Sequence, residues 1–105
     1  MPKCKITVLR KTEPEQDLVQ EYLYASLREK GYGACPAFET WQEFVVDSTK
    51  VPEGFCNWAW ADIQRDVVAV ALGADFPWIK QRGTTITCCT DAFRPVIFKV
   101  ERMEN

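Results

Sequence analysis

Five cysteines and no histidine define the chemistry open to this 105-residue chain. The missing imidazole excludes Ser-His-Asp and Cys-His catalysis, His-ligated zinc or haem, and histidine proton shuttles. A reactive cysteine here needs help from a helix N-terminus, a nearby Arg or Lys, or a carboxylate base. The cysteines stand at 4, 35, 56, 88 and 89. No two have the C-x-x-C spacing by which one knuckle supplies two metal ligands. An odd cysteine count without a secretory pattern suits a reducing compartment, so all five are read as thiols. Cys88 and Cys89 are adjacent. Neighbouring Cα atoms lie about 3.8 Å apart, short of the usual ~4.4–6.8 Å disulfide span, so a vicinal disulfide would be strained.

Strand phase divides the thiols. Cys4 and Cys88 each fall in step with a strand's apolar face and are expected to pack as small buried hydrophobes. Cys35 sits in a glycine-flanked loop before a proline. Cys56 precedes a predicted helix, where a thiol can be activated. Cys89 is in phase with threonines and is expected to face away from the main core. Cys35, Cys56 and Cys89 are therefore the candidate metal ligands, and Cys56 and Cys89 the candidate nucleophiles. Asp91 and Arg94 flank a turn and form a candidate anion clamp or catalytic support. The plainer reading is that Asp91 bonds its own backbone and Arg94 lies over Phe93. Asp62 and Asp66, one helical turn apart with Arg65 between, read as a solvated face with local charge pairs. Phe55, Trp58, Trp60, Phe76 and Trp78 crowd a short span. Trp58 lies off the helix's apolar stripe, which suits a ligand pocket or a subunit interface. Gly31 and Gly33 do not form a phosphate loop, because the spacing is wrong and no Lys-Ser/Thr follows.

The elements that must position these residues follow from periodicity. Residues 3–11 alternate as a strand with Cys4, Ile6 and Val8 on one face. Thr12, Pro14 and Glu15 resemble a capped helix start, and a helix is predicted to about residue 30, with Leu18, Val19, Tyr22, Leu23 and Leu27 as its stripe. Gly31 ends it. A second strand is predicted over 41–47, with Phe44 and Val46 in phase. A second helix over 58–72 is capped by Asn57 and closed by Gly73, with Trp60, Ile63, Val67, Val70 and Ala71 inward. Phe76-Pro77-Trp78 is an aromatic loop at the core edge. A closing hairpin takes 84–90 and 95–101, with Ile86 and Cys88 on one face, Thr85, Thr87 and Cys89 on the other, and Val96, Phe98 and Val100 inward. The expectation is one α+β domain over 1–105, order β-α-β-α-β-β, with two helices on a small, mostly antiparallel sheet.

Several segments together resemble a family of short, cysteine-containing prokaryotic proteins of unassigned function. They are Lys3-Cys4-Lys5-Ile6-Thr7-Val8, Cys35-Pro36-Ala37-Phe38, Glu43-Phe44, Gly54-Phe55-Cys56-x-Trp58-Ala59, Phe76-Pro77-Trp78 and Cys88-Cys89-Thr90-Asp91-x-x-Arg94-Pro95-Val96. The resemblance covers nearly the whole chain and implies no activity, substrate or cofactor. Two positions depart from the family's pattern. Trp41 stands where a glycine opens the second strand, and Ala92 where the hairpin turn has glycine, which implies a turn without a positive φ there.

Thirteen basic against fifteen acidic residues give a net charge of −2, which does not favour nucleic-acid binding. No apolar run reaches the ~18 residues of a membrane span, and the first residues alternate instead of forming a continuous apolar stretch, so a cytoplasmic location is expected. Three functions remain in view. One is a small-ligand or metal-binding module, with Cys35, Trp58 and Arg94 at the ligand. Another is a structural or interaction protein, a homodimer whose cysteines only pack. A thiol-dependent enzyme or redox protein is the third. The sequence names no cofactor.

Overall fold

The computed structural model of the chain describes residues 2–103. Its elements are β1 (Lys3–Lys11), α1 (Gln16–Tyr22), α2 (Ala25–Arg28), β2 (Glu43–Asp47), α3 (Asn57–Ala71), β3 (Thr84–Cys88) and β4 (Val96–Met103). The strands pair antiparallel throughout in the order β2-β1-β4-β3. This is an α+β arrangement, as expected.

The core grows from two alternating strands. Cys4, Ile6 and Val8 of β1 are buried beside Val96, Phe98 and Val100 of β4. Directly opposed residues share a face, so the pairs Ile6–Val100 and Val8–Phe98 align the two apolar rows. The stripe of α3 (Ala59, Ile63, Val67 and Val70) closes over them. One end of this core is aromatic. Phe38 lies 5.1 Å from Phe55 and 5.2 Å from Phe98 between ring centroids, both edge to face, and Phe55 lies 4.8 Å from Phe44. Such pairs add about 0.5–1.5 kcal/mol each beyond burial. Burial pushes the Cys4 thiol above its ordinary pKa, with Arg102 acting in the opposite direction.

The predicted first helix is two short ones, and this corrects the expected two helices on the sheet. The chain breaks at Leu23 and Tyr24, which are extended with ψ 142° and 135°. Arg28 Nε donates to the freed Leu23 carbonyl at 3.1 Å, and its Nη1 donates to Gln20 Oε1 at 3.0 Å. Thr12 does not cap α1. Its hydroxyl donates to the Pro95 carbonyl and ties β1 to β4, leaving Glu15 at the N-cap. Of the expected stripe Val19 is fully buried, outside the main core, while Leu18, Tyr22 and Leu27 are exposed. The helix that packs across β1, β3 and β4 is α3. Its N-cap is Cys56, not Asn57.

The phase of β3 is the reverse of expectation. Thr85 and Cys89 are buried, whereas Ile86 and Cys88 are exposed. The register sets this: Thr85 opposes Val100 and Thr87 opposes Phe98, so the threonines join the core face of β4. The polarity of Thr87 is met from α3, where Asp66 Oδ2 accepts from its hydroxyl at 2.7 Å. Asp62 and Asp66 are therefore ties to β3 and the residues after it, not a solvated face.

Trp41 adopts φ 70°, the left-handed conformation a glycine would take at the entry to β2. Its N–H donates to the Val8 carbonyl at 2.6 Å. Ala92 keeps a φ outside that region. Among the described residues, no helix is long and apolar enough to cross a membrane.

Candidate functional site

Three chain segments meet at the aromatic end of the core. The connection between α2 and β2 brings Cys35 and Phe38. The start of α3 brings Cys56, Trp58 and Ala59, with Cys56 and Ala59 three residues apart and so on one helix face. The connection between β3 and β4 brings Cys89 to Arg94. Together they line a cavity of about 470 Å³. That falls within the ~300–1,000 Å³ typical of small-molecule sites. Cys35, Cys56, Trp58, Cys89, Asp91 and Arg94, the residues singled out from sequence, all lie on its wall.

The five cysteines are free thiols. Cys4 is in the core and Cys88 is exposed on the opposite face of the sheet from α3. Cys89 is only 7% exposed. This corrects the expectation that Cys88 packs inward and Cys89 outward. The Cys89 sulfur accepts the Val96 N–H at 3.3 Å, while the Cys89 N–H donates to the Val96 carbonyl at 3.2 Å. Cys35 and Cys56 are half-buried and pack against the core. Among the described residues, no group of three or more His, Cys, Asp or Glu side chains is placed to hold a metal ion. Cys35, Cys56 and Cys89 share a wall without converging on one point.

Two polar networks hold the wall in shape. In the first, Asp91 Oδ1 accepts the Phe93 N–H at 3.2 Å, an Asx turn. Asp91 Oδ2 accepts from Arg94 Nε at 3.1 Å. Arg94 Nη1 reaches the Gly33 carbonyl at 3.3 Å, and the guanidinium lies 4.1 Å from the centroid of the Tyr32 ring. Arg94 thus stacks on Tyr32 rather than on Phe93, and it fastens the α2–β2 connection to the hairpin. In the second network, Asp62 Oδ2 accepts the Thr90 N–H at 2.7 Å, and the Thr90 hydroxyl is 2.9 Å from the same oxygen. Thr90 Oγ1 accepts the Trp58 indole N–H at 3.0 Å. This holds the Trp58 ring at the rim, 67% exposed.

Sequence reasoning missed Phe38, Ala59, Thr90, Ala92 and Phe93 as lining residues, and Tyr32 and Asp62 as their supports. Phe38 and Thr90 stood inside two cysteine-containing segments, Phe38 three residues after Cys35 and Thr90 between Cys89 and Asp91. Asp62 left no local signal, because its partner lies 28 residues away. Comparison of the chain with family models, with curated proteins and with solved structures finds no match.

Proposed function

We propose that the chain is a small-ligand-binding module whose site is the thiol-lined pocket beside the start of α3. The observation behind this reading is convergence. Residues chosen for their chemistry from distant parts of the sequence line one cavity of ligand size. The pocket also has the composition of a binding site, an apolar interior with few polar groups.

Competition at the thiols tests it. Native protein is alkylated with a small maleimide in the presence of a library of small organic molecules, and each cysteine is read by mass spectrometry. A ligand in the pocket should slow labelling of Cys35 and Cys56 together and leave Cys88 unchanged, since Cys88 lies on the other face. Protection that never separates the pocket thiols from Cys88 would defeat the proposal.

The homodimer keeps one supporting observation. The sheet face opposite α3 carries exposed Val45 and Ile86, 51% and 44% accessible. Light scattering across a concentration series decides it, and a monomer at every concentration would remove that reading.

A further inference from the structure

We infer that the pocket takes a small, uncharged, planar aromatic molecule, an inference that rests on the ligand-site reading above. Charge provides the first part of the case. The wall carries one carboxylate and one guanidinium, Asp91 and Arg94, and they are paired with each other at 3.1 Å. The guanidinium is further engaged by the Gly33 carbonyl and the Tyr32 ring. An ionic ligand would lose its hydration on entry and find no unpaired opposite charge to replace it. Arg94 Nη2 has no hydrogen-bond partner among the described residues, but its charge is already balanced by Asp91.

Hydrogen bonding provides the second. Thr90 Oγ1 accepts from Trp58 and donates to Asp62, so it has little left to offer. Both Asp91 oxygens hold donors from their own loop. Among the described residues, the one buried side-chain N or O atom without a partner is Thr7 Oγ1, on the other face of the sheet. Beyond the Arg94 Nη2 donor, the side-chain groups left free in the pocket are thiols, which are weak donors and weak acceptors. Recognition rests mainly on shape and dispersion.

The lining says what shape. Phe38 forms part of the aromatic cluster at the core's end, and Phe93 and Trp58 add two more rings. Aromatic faces and polarizable sulfur both favour flat π-systems over saturated rings of the same size. Trp58 is held by its N–H rather than by packing, so its exposed face remains free to stack on a ligand.

Four probes on one carbon skeleton test this by calorimetry: 2-naphthol, 2-naphthoate, 2-(aminomethyl)naphthalene as its cation, and decahydro-2-naphthol. The neutral aromatic should bind about tenfold or more tighter than either ion and than the saturated alcohol. Trp58→Ala should weaken 2-naphthol several-fold, and exposure of this ring keeps the variant folded. Tighter or equal binding of 2-naphthoate would overturn the neutrality while leaving a ligand site in place. Equal binding of decahydro-2-naphthol would overturn the planarity. If 2-naphthol and the other three all fail to bind, the inference falls. If the thiol competition above also yields no protection, the ligand-site reading falls with it.

Discussion

Asp62 joins α3 to the segment that forms the pocket wall, so removing its carboxylate should loosen both. In Asp62→Ala two donors lose their acceptor: the Thr90 N–H at 2.7 Å and the Thr90 hydroxyl at 2.9 Å. A hydrogen bond to a charged group contributes about 1.5–3 kcal/mol net. Both bonds are reached by water, so the lower figure applies, about 3 kcal/mol for the pair. Alanine's better helix propensity returns about 0.7 kcal/mol. The expected loss is roughly 2 kcal/mol, a fall in Tm of about 8–10 °C for a domain of this size. Asp62→Asn keeps an oxygen in place and loses only the charge, so about half the loss is expected. Urea denaturation monitored by tryptophan fluorescence measures both, and the spectrum should also report release of the Trp58 indole from Thr90. A double-mutant cycle with Thr90→Val should give a coupling of about 1 kcal/mol or more. A loss below about 0.5 kcal/mol, or no coupling, would refute the claim that this contact holds the wall.

Other sites give further expectations. Gly83→Ala places a Cβ at φ 67° and 3.0 Å from Arg102 Nη2, so a loss of about 1–2 kcal/mol is expected in denaturant melts, with Arg102 displaced from the Val70 carbonyl. Trp41→Gly removes an exposed ring and the strain of φ 70°, and should raise stability by about 1 kcal/mol; a lower Tm would show that the ring contributes to packing. The reversed phase of β3 predicts that Cys88→Ser stays within about 0.5 kcal/mol of the parent while Cys89→Ser costs 1 kcal/mol or more. Because burial raises the Cys4 pKa above 9.0 in the fold, the unfolded chain releases that proton first as pH rises. Its stabilising effect is complete below pH 9.0 and is lost as pH climbs toward the folded value. The fall in urea midpoint from pH 8 to 10.5 should accordingly be smaller in Cys4→Ala than in the parent.

How much was legible depended on how strongly each segment's two faces differ. β1 and β4 place Ile, Val and Phe against Lys, Arg and Glu, so the alternation determined their inward rows. The stripe of α3 was clear for the same reason. β3 offered a choice between Ile86 with Cys88 and two threonines with Cys89. The difference is small, and pairing with β4 together with two carboxylates from α3 decided it the other way. The first helix showed an unbroken stripe, yet a stripe lengthens a helix only when something packs along it. Here little of that stripe is buried, and Arg28 satisfies the carbonyl exposed at the break. The candidate site was legible as residue types, since thiols off the core phase, an off-stripe tryptophan and an Asp–Arg turn each stood out. Their meeting was not, because it depends on Arg94 crossing to Gly33 and Asp62 to Thr90, over 61 and 28 residues.

The separation of Val19 from the main core has a consequence for how the molecule opens. Segments with little buried apolar surface exchange and unfold locally before the rest. α1 and α2 are such a segment, and the stretch from 31 to 33 hangs directly from them. The pocket therefore adjoins a boundary in cooperativity. Cys35, Cys56, Cys89 and Phe38 belong with the unit that melts with the sheet, while Tyr32 lies toward the unit that opens first, with Arg94 as the bolt between them. Any occupant that braces Arg94 would register as slower amide exchange in α1 and α2, at positions it never contacts.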